Sequence, residues 1–119
     1  RLEEVGVVAL DWLDPYVEAA QNDASNVPGL TPKQADAIQH CAASCNITRE
    51  EGLATALGAG EVNELLGSDL YGAPGEGDAD RGNNYVGCWL GTFSAESDED
   101  CLDGCLWELW HGNLNTTDN

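Results

Sequence analysis

The sequence predicts an all-α protein: a small, disulfide-stapled bundle of four or five short helices with one long loop rich in glycine and aspartate. Three observations support this. Helix-start signals recur along the chain, apolar residues follow helical spacing, and four of the five cysteines form two pairs spaced by one helical turn. At 119 residues the chain has the length of a single domain, 1–119, with 31–111 as its cysteine-stapled core.

The N-terminal part should contain one short helix followed by a loop. Residues 2–13 are apolar at helical intervals, although a strand is also possible there. Asp14 and Pro15 mark a helix start, because Asp is a good N-cap and Pro fits the first helical position. This helix is expected to run to about Gln21. The stretch 22–30 is predicted to be a loop from its Asn, Asp, Ser, Pro and Gly content.

Two capping signals predict two consecutive helices in the middle of the chain. Thr31 and Gln34 can form a capping box that opens a helix over 32–46. A second capping box, at 48–51, opens another helix, which the glycines of 58–60 should end. The inner stripe of the first of these helices follows helical spacing: Ala35, Ile38, Ala42 and Cys45.

The C-terminal half begins with the long loop. Residues 67–82 are too rich in Gly, Asp and Pro for regular structure, and 83–93 should form a helix or a buried turn. Ser97 caps the last helix, which has an acidic first turn and should end near Gly112. The tail 113–119 is expected to fray. Because Leu, Ile, Val and Phe are sparse, alanines, cysteines and the four tryptophans should supply much of the core.

The cysteine spacing predicts two staples between helices. Cys41 and Cys45 stand four residues apart, as do Cys101 and Cys105, so each pair presents both sulfurs on one helix face. Two such helices lying side by side can form two bridges, each closing a loop of about 60 residues and contributing roughly 4 kcal/mol. The spacing leaves open a metal site built from the thiols, with or without a histidine, and reduced thiols in a cytosolic protein. Cys88 is left over, and the sequence does not choose the pairing.

The charge balance is extreme for a chain of this size. It carries 22 Asp and Glu residues against 4 Lys and Arg residues, a formal net charge of −18. Nucleic acids and anionic membrane surfaces are excluded as partners, because binding them requires the basic side chains that are scarce here. No apolar run reaches the roughly 18 residues of a membrane span, so insertion is not expected. Bound cations, a cationic protein partner or a saline habitat agree better with this charge, and self-association is the other interaction expected.

One polar site stands out. His40 lies on the best-defined helix, with Asp36 and Ser44 one turn away on its side, and a histidine with a carboxylate can do acid–base work near neutral pH. The end of the long loop supplies carboxylates and amides, which suit a hard cation such as calcium, although the loop does not match an EF-hand. The alternative is that these are ordinary polar loop residues. The candidate calcium ligands are Asp78, Asp80 and Asn83.

Several of these pieces stand in the order of a known family. The pieces are Asp36-Ala-Ile-Gln-His-Cys-Ala-Ala-Ser-Cys45, Thr48 with Gly52, Asn63-Glu64, Asp80 with Asn83-Asn84, Gly87-Cys88, and the pair Cys101 and Cys105. In these motifs, which span about 34–105, the chain resembles the small cysteine-rich domain at the C-terminal ends of Rhs-type bacterial polymorphic toxins. The resemblance implies a secreted bacterial context and an effector role. The catalytic residues that it carries over are His40, Glu64, Asp80 and Asn84.

Three functions are therefore expected in order. The first is a secreted or surface-exposed acidic domain that, by its resemblance, acts as a toxin-like effector tail of unknown activity. The second is a non-enzymatic structural or self-assembling extracellular protein, with Trp107 or Trp110 in exposed apolar patches. The third is a cation-binding module. A disulfide-stapled core places all three outside the cytosol.

Overall fold

The computed structural model describes residues 13–64 and 76–116, apart from the side chains of 60–64 and 76–78. About 80% of the described residues are helical, and none of them forms a strand, which confirms the all-α prediction. Five helices follow one another along the chain: α1 Asp14–Ser25, α2 Pro32–Glu51, α3 Leu53–Glu64, α4 Glu76–Phe93 and α5 Asp98–Trp110. The predictions for residues 2–12, for 67–75 and for 117–119 lie outside the described residues.

Helix α2 is the centre of the bundle and packs against each of the other four helices. Its start is the predicted one: the Thr31 side chain accepts from the backbone N–H of Gln34, and the Gln34 side chain accepts from the N–H of Thr31. The predicted inner stripe is largely confirmed, since Ile38, Ala42 and Cys45 are fully buried and Ala35 packs partly buried against the same core.

Two glycines allow α4 to lie very close to α2. A Cβ at Gly91 would stand 2.5 Å from the carbonyl oxygen of Cys45 and 2.8 Å from Cβ of Thr48. A Cβ at Gly87 would collide with the carbonyl oxygen of Cys41. The two glycines are four residues apart and therefore lie on the same face of α4. Because neither has a side chain, the α2 backbone packs directly against this face.

Both predicted staples form between α2 and α5. Cys41 is bonded to Cys105 and Cys45 to Cys101, with Cα–Cα distances of 5.9 and 5.7 Å. All four sulfurs are therefore part of disulfides. The two alternatives, a metal site built from these thiols and reduced thiols, are wrong. Cys88 is free and buried. The disulfides indicate an oxidising, non-cytoplasmic location, since such bonds do not persist in a reducing cytosol.

Polar contacts tie α1 and α5 to the C-terminal end of α2. The Tyr16 hydroxyl donates a hydrogen bond of 3.0 Å to Oε2 of Glu51, and Arg49 forms an ion pair with Asp98 in the first turn of α5. Partial burial, the hydrogen bond to Glu51 and the nearby negative charges of Glu50 and Glu51 raise the pKa of Tyr16 to about 12.

Two helix boundaries differ from prediction because tertiary packing outweighs the local signals. Helix α1 continues into the predicted loop, as far as Ser25, and this buries Ala24. Helix α2 continues through the second capping box to Glu51, because Ile47 and Thr48 are buried, and it ends at Gly52, whose φ of 98° does not continue a right-handed helix.

Two further boundaries also differ from prediction. Helix α3 runs through the glycines of 58–60, where Ala59 is buried against the rest of the bundle. Helix α4 begins at Glu76, so the second part of the predicted 67–82 loop is helical, and Ala79 is buried there.

The beginning of the tail is also held in place, contrary to the predicted fraying. Leu114 is buried, and the backbone N–H and C=O of Asn115 both bond to the side chain of Asn83, at 2.7 and 2.9 Å. The chain beyond α5 thus closes back onto α4, at least as far as these two residues.

The core contains fewer aromatic residues than predicted. Trp89, Trp107 and Trp110 are 59%, 56% and 61% exposed, and Phe93 is 69% exposed. Alanines, the disulfide cysteines and a few Ile and Leu side chains fill the interior, because helices this close leave no space for indole rings. Within the described residues, no helix has the length and apolar character needed to cross a bilayer.

Candidate functional site

The candidate site is centred on His40, which lies on α2 directly before a disulfide cysteine. The bond between Cys41 and Cys105 ties this turn of α2 to α5. The His40 side chain is 18% exposed, so one part of its ring is covered by protein and another remains accessible. A half-buried histidine on a covalently anchored helix has a defined position.

Two side chains of α4 approach the ring of His40. Asp80 and Asn84 are four residues apart on one helix face, and the packing of Gly87 against Cys41 brings that face to α2. Oδ1 of Asp80 lies 3.3 Å from Nε2 of His40, and Oδ1 of Asn84 lies 3.2 Å from Nδ1. An oxygen atom beside each ring nitrogen fixes the orientation of the imidazole.

A second carboxylate stands on the Nε2 side of the ring. Asp36 lies one turn before His40 on α2, and its Oδ1 is 3.7 Å from Nε2. Asp36 is exposed, whereas the Asp80 side chain is only 14% exposed. One ligand atom from each of the three side chains lies within 4.8 Å of the other two. The arrangement can hold a positive charge beside Nε2, either on the ring or on a metal ion.

A small cavity of about 100 Å³ lies beside His40. His40 and Asn84 belong to its wall, together with Gln39 and Ser44, whereas Asp36 and Asp80 do not line it. Of the three residues Asp36, His40 and Asp80, His40 is thus the one that lines the cavity. The rest of the wall is apolar and comes from α1, α2, α3 and the residue before α1: Leu13, Val17, Ala43, Ile47, Ala56 and Ala59.

The structure brings together three of the four predicted catalytic residues, His40, Asp80 and Asn84. The side chain of the fourth, Glu64, lies outside the described residues, as does that of Asp78 from the predicted calcium set. Asn83 of that set faces away from the ring, toward the C-terminal tail, where its side-chain oxygen and nitrogen both bond to the backbone of Asn115.

Asp36 is the one member of the cluster absent from the predicted set of catalytic and metal-binding residues. Its position four residues before His40 is a sequence signal, because that spacing places two side chains on the same helix face. The apolar cavity carries no comparable signal, since three helices must be in place before it exists.

Cys88 lies close to the cavity but has the properties of a structural residue. It is 3% exposed and packs in one cluster with Leu13, Ile47 and Ala59. Burial raises the pKa of its thiol, although the nearby Thr48 side chain opposes this shift. A buried thiol with a raised pKa is a poor nucleophile, because the reactive form is the thiolate.

The comparisons with known proteins add no homologue to this geometry. No family model, no curated protein and no solved structure matches the chain, so the likeness to Rhs-type toxin tails stays a prediction from the motif residues.

Proposed function

We propose that the chain is a secreted, toxin-like bacterial effector domain that uses His40 as an acid–base group on a substrate bound in the adjacent cavity. The single observation that carries the proposal is that His40 both lines a mostly apolar cavity and has its Nε2 atom 3.3 Å from the Asp80 carboxylate. A histidine oriented by a carboxylate at one nitrogen, with a cavity at the other, is the arrangement that proton transfer requires.

Each side chain then has a separate task. Asn84 faces Nδ1 and also lines the cavity, so Nδ1 is the nitrogen that exchanges a proton with substrate or water. Asp80 faces Nε2 and stabilises the positive ring that forms when Nδ1 takes up a proton. Asn84 holds the ring at Nδ1. Asp80 and Asn84 are thus positioning residues for His40.

The cavity and the charge of the chain restrict the substrate. About 100 Å³ of mostly apolar space accepts a short alkyl or acyl group or part of one side chain. The net charge of −18 repels anionic substrates over long range and attracts cations. The proposed substrate is therefore neutral or cationic, with a small apolar group next to the reacting atom.

Growth of a bacterial host tests this function. The chain is expressed with and without a secretion signal, and inhibition is expected only in the oxidising compartment, because both disulfides must form. His40→Ala should abolish inhibition. His111→Ala is the matched control, since the second histidine of the chain is exposed just after the end of α5, and it should stay inhibitory.

Folding of the secreted variants is checked by circular dichroism and by the melting temperature. Undiminished inhibition by folded His40→Ala would contradict the catalytic role of the ring. Harmless wild-type protein in both compartments would contradict the effector function itself.

A second candidate function is self-assembly, which the exposed aromatic residues favour. Tyr85, Trp89 and Phe93 follow one another at four-residue intervals on the solvent side of α4, and the rings of Trp89 and Phe93 lie 5.2 Å apart. Exposed apolar stripes of this kind mark contact surfaces. The negative charge opposes association, so salt should promote it by screening.

Sedimentation at rising protein and salt concentrations tests self-assembly. Larger species are expected in wild-type protein, and fewer in Trp89→Ser. The matched control is Thr92→Ser on the same helix, because it removes only a methyl group. A monomer at every concentration and salt condition would contradict this candidate.

A further inference from the structure

We infer that Asp36, His40 and Asp80 form a binding site for a divalent transition-metal ion such as Zn²⁺. The inference concerns the Nε2 side of His40, whereas the proposed acid–base function uses the Nδ1 side. The inference rests on the proposed function only because both involve the imidazole ring of His40.

The distances place three ligand atoms around one point. Nε2 of His40 lies 3.3 Å from Oδ1 of Asp80 and 3.7 Å from Oδ1 of Asp36. An ion bound at about 2.0–2.2 Å from nitrogen and oxygen ligands fits between Nε2 and either carboxylate, and the two carboxylate oxygens lie within 4.8 Å of each other. Two helices supply the ligands, and the Asp36–His40 spacing of one turn repeats the way in which helices commonly pair metal ligands.

Asn84 supplies an independent observation on the other side of the ring. Its side-chain oxygen lies 3.2 Å from Nδ1, and the residue is only 8% exposed. When the neutral ring carries its proton on Nδ1 and donates it to this oxygen, the lone pair of Nε2 lies beside two carboxylates and can bind a cation. Metal-binding histidines are generally oriented in the same way, by a carbonyl or carboxylate that accepts from the second ring nitrogen. The proposed acid–base function uses the other tautomer, in which Nδ1 carries the lone pair and Nε2 the proton.

The ligand types select the class of ion. One imidazole and two carboxylates suit Zn²⁺, Mn²⁺ or Fe²⁺, whereas Ca²⁺ and Mg²⁺ prefer all-oxygen sites. Three protein ligands leave at least one coordination position for water or a substrate group. The site differs from the predicted calcium set, since Asn83 uses both polar side-chain atoms on Asn115.

An ion at Nε2 would occupy the place of the proton between the ring and Asp80. The same imidazole would then pass from an acid–base group to a metal ligand. Loading with a transition metal would in this way regulate the proposed activity.

Binding of Zn²⁺ alone to the full oxidised chain tests the inference. The protein is first treated with chelator, and binding is followed by calorimetry at physiological salt, which screens diffuse attraction to the acidic surface. We expect one saturable equivalent and a melting temperature that rises with Zn²⁺ and returns with chelator. Asp36→Asn should weaken Zn²⁺ binding at least about tenfold. Replacing a residue that only hydrogen-bonds to a metal ligand already lowers the affinity by about this factor.

Two matched controls separate this site from general attraction to carboxylates and histidines. Asp103→Asn removes an exposed carboxylate from α5, and His111→Ala removes the second histidine, and both should bind Zn²⁺ like wild-type protein. Asp80→Asn is expected to behave like Asp36→Asn. Should Asp80→Asn not fold, Asp36→Asn decides alone, because an exposed side chain is replaced there.

The inference is overturned if Asp36→Asn binds Zn²⁺ as tightly as wild-type protein, or if equal concentrations of Ca²⁺ displace the ion. These outcomes depend on binding and not on activity. The proposed function is judged separately, by growth inhibition in His40→Ala, so either proposal can fail while the other stands.

Discussion

Gly87 of α4 lies directly against the carbonyl oxygen of Cys41 in α2. This contact sets the distance between the helix that carries His40 and the helix that carries Asp80 and Asn84. The first prediction is that Gly87→Ala destabilises the protein by about 1–3 kcal/mol, because the added methyl group must push two backbones apart. Denaturant unfolding monitored by circular dichroism measures this loss.

Gly82→Ala is the matched control on the same helix. A Cβ at Gly82 meets no atom within 4 Å, so the higher helix propensity of alanine should stabilise the protein by about 0.5–1 kcal/mol. Equal effects of the two substitutions would show that helix propensity, and not the close approach of α2 and α4, decides the outcome.

The second prediction concerns the two disulfides, which are nested. Cys41–Cys105 spans a sequence separation of 64 and Cys45–Cys101 one of 56. With either bond intact, the other closes a ring of only about 10 residues, so replacing one pair by alanine should cost roughly 3 kcal/mol. Replacing both pairs should cost roughly 7 kcal/mol, because the long loop is then also released. Unfolding free energies of the three variants measure these costs.

The third prediction concerns thiol modification without reductant. Cys88 is the free cysteine, and it is buried with a raised pKa, so the folded protein should take up no alkyl group. In denaturant the intact mass should rise by one alkyl group, and after reduction by five, one for each cysteine. Uptake of four or more groups by the folded, unreduced protein would contradict the disulfides.

The fourth prediction is a loss of stability at high pH through Tyr16. Its pKa is raised to about 12 in the folded protein, from the ordinary tyrosine value of 10.0. The neutral phenol therefore stabilises the fold fully below about pH 10, and this contribution disappears as the pH rises through 12. Tyr16→Phe should remove this part of the pH dependence. Unfolding free energies of wild-type protein and Tyr16→Phe between about pH 9 and pH 12 check this prediction.

The staples and the main helices could be predicted because their signals are local. One-turn spacing of Cys41 and Cys45 fixes a sulfur face, and the capping box at Thr31 fixes a helix start. The α2 boundary at Gly52 could not be predicted, because a local capping signal at Thr48 competes with burial of that same residue. In the sequence, glycines predicted the ends of helices. Gly91 instead lies inside α4, where it contacts the backbone of α2, and this role depends on residues distant in the sequence.

The site was predictable in its residues and not in its surroundings. His40, Asp80 and Asn84 were predicted from the likeness of their motifs to Rhs-type toxin tails, and the structure brings these three side chains together, while their catalytic role stays a prediction. The cavity beside them could not be predicted, since Leu13 and Ala59 reach it only after three helices have packed. The tryptophans are exposed because the packed helices lie too close together to hold indole rings. No single segment of the sequence encodes this distance between helices.

The disulfides also join the two parts of the chain that supply the site. His40 belongs to the part before Glu64, whereas Asp80 and Asn84 belong to the part after Glu76, and the bonds between α2 and α5 link these parts independently of the peptide chain. A protease that cleaves once between residues 64 and 76 would therefore produce a nicked, two-chain molecule whose halves remain covalently attached. Such a molecule would keep the imidazole and its α4 partners together until a reductant separates them.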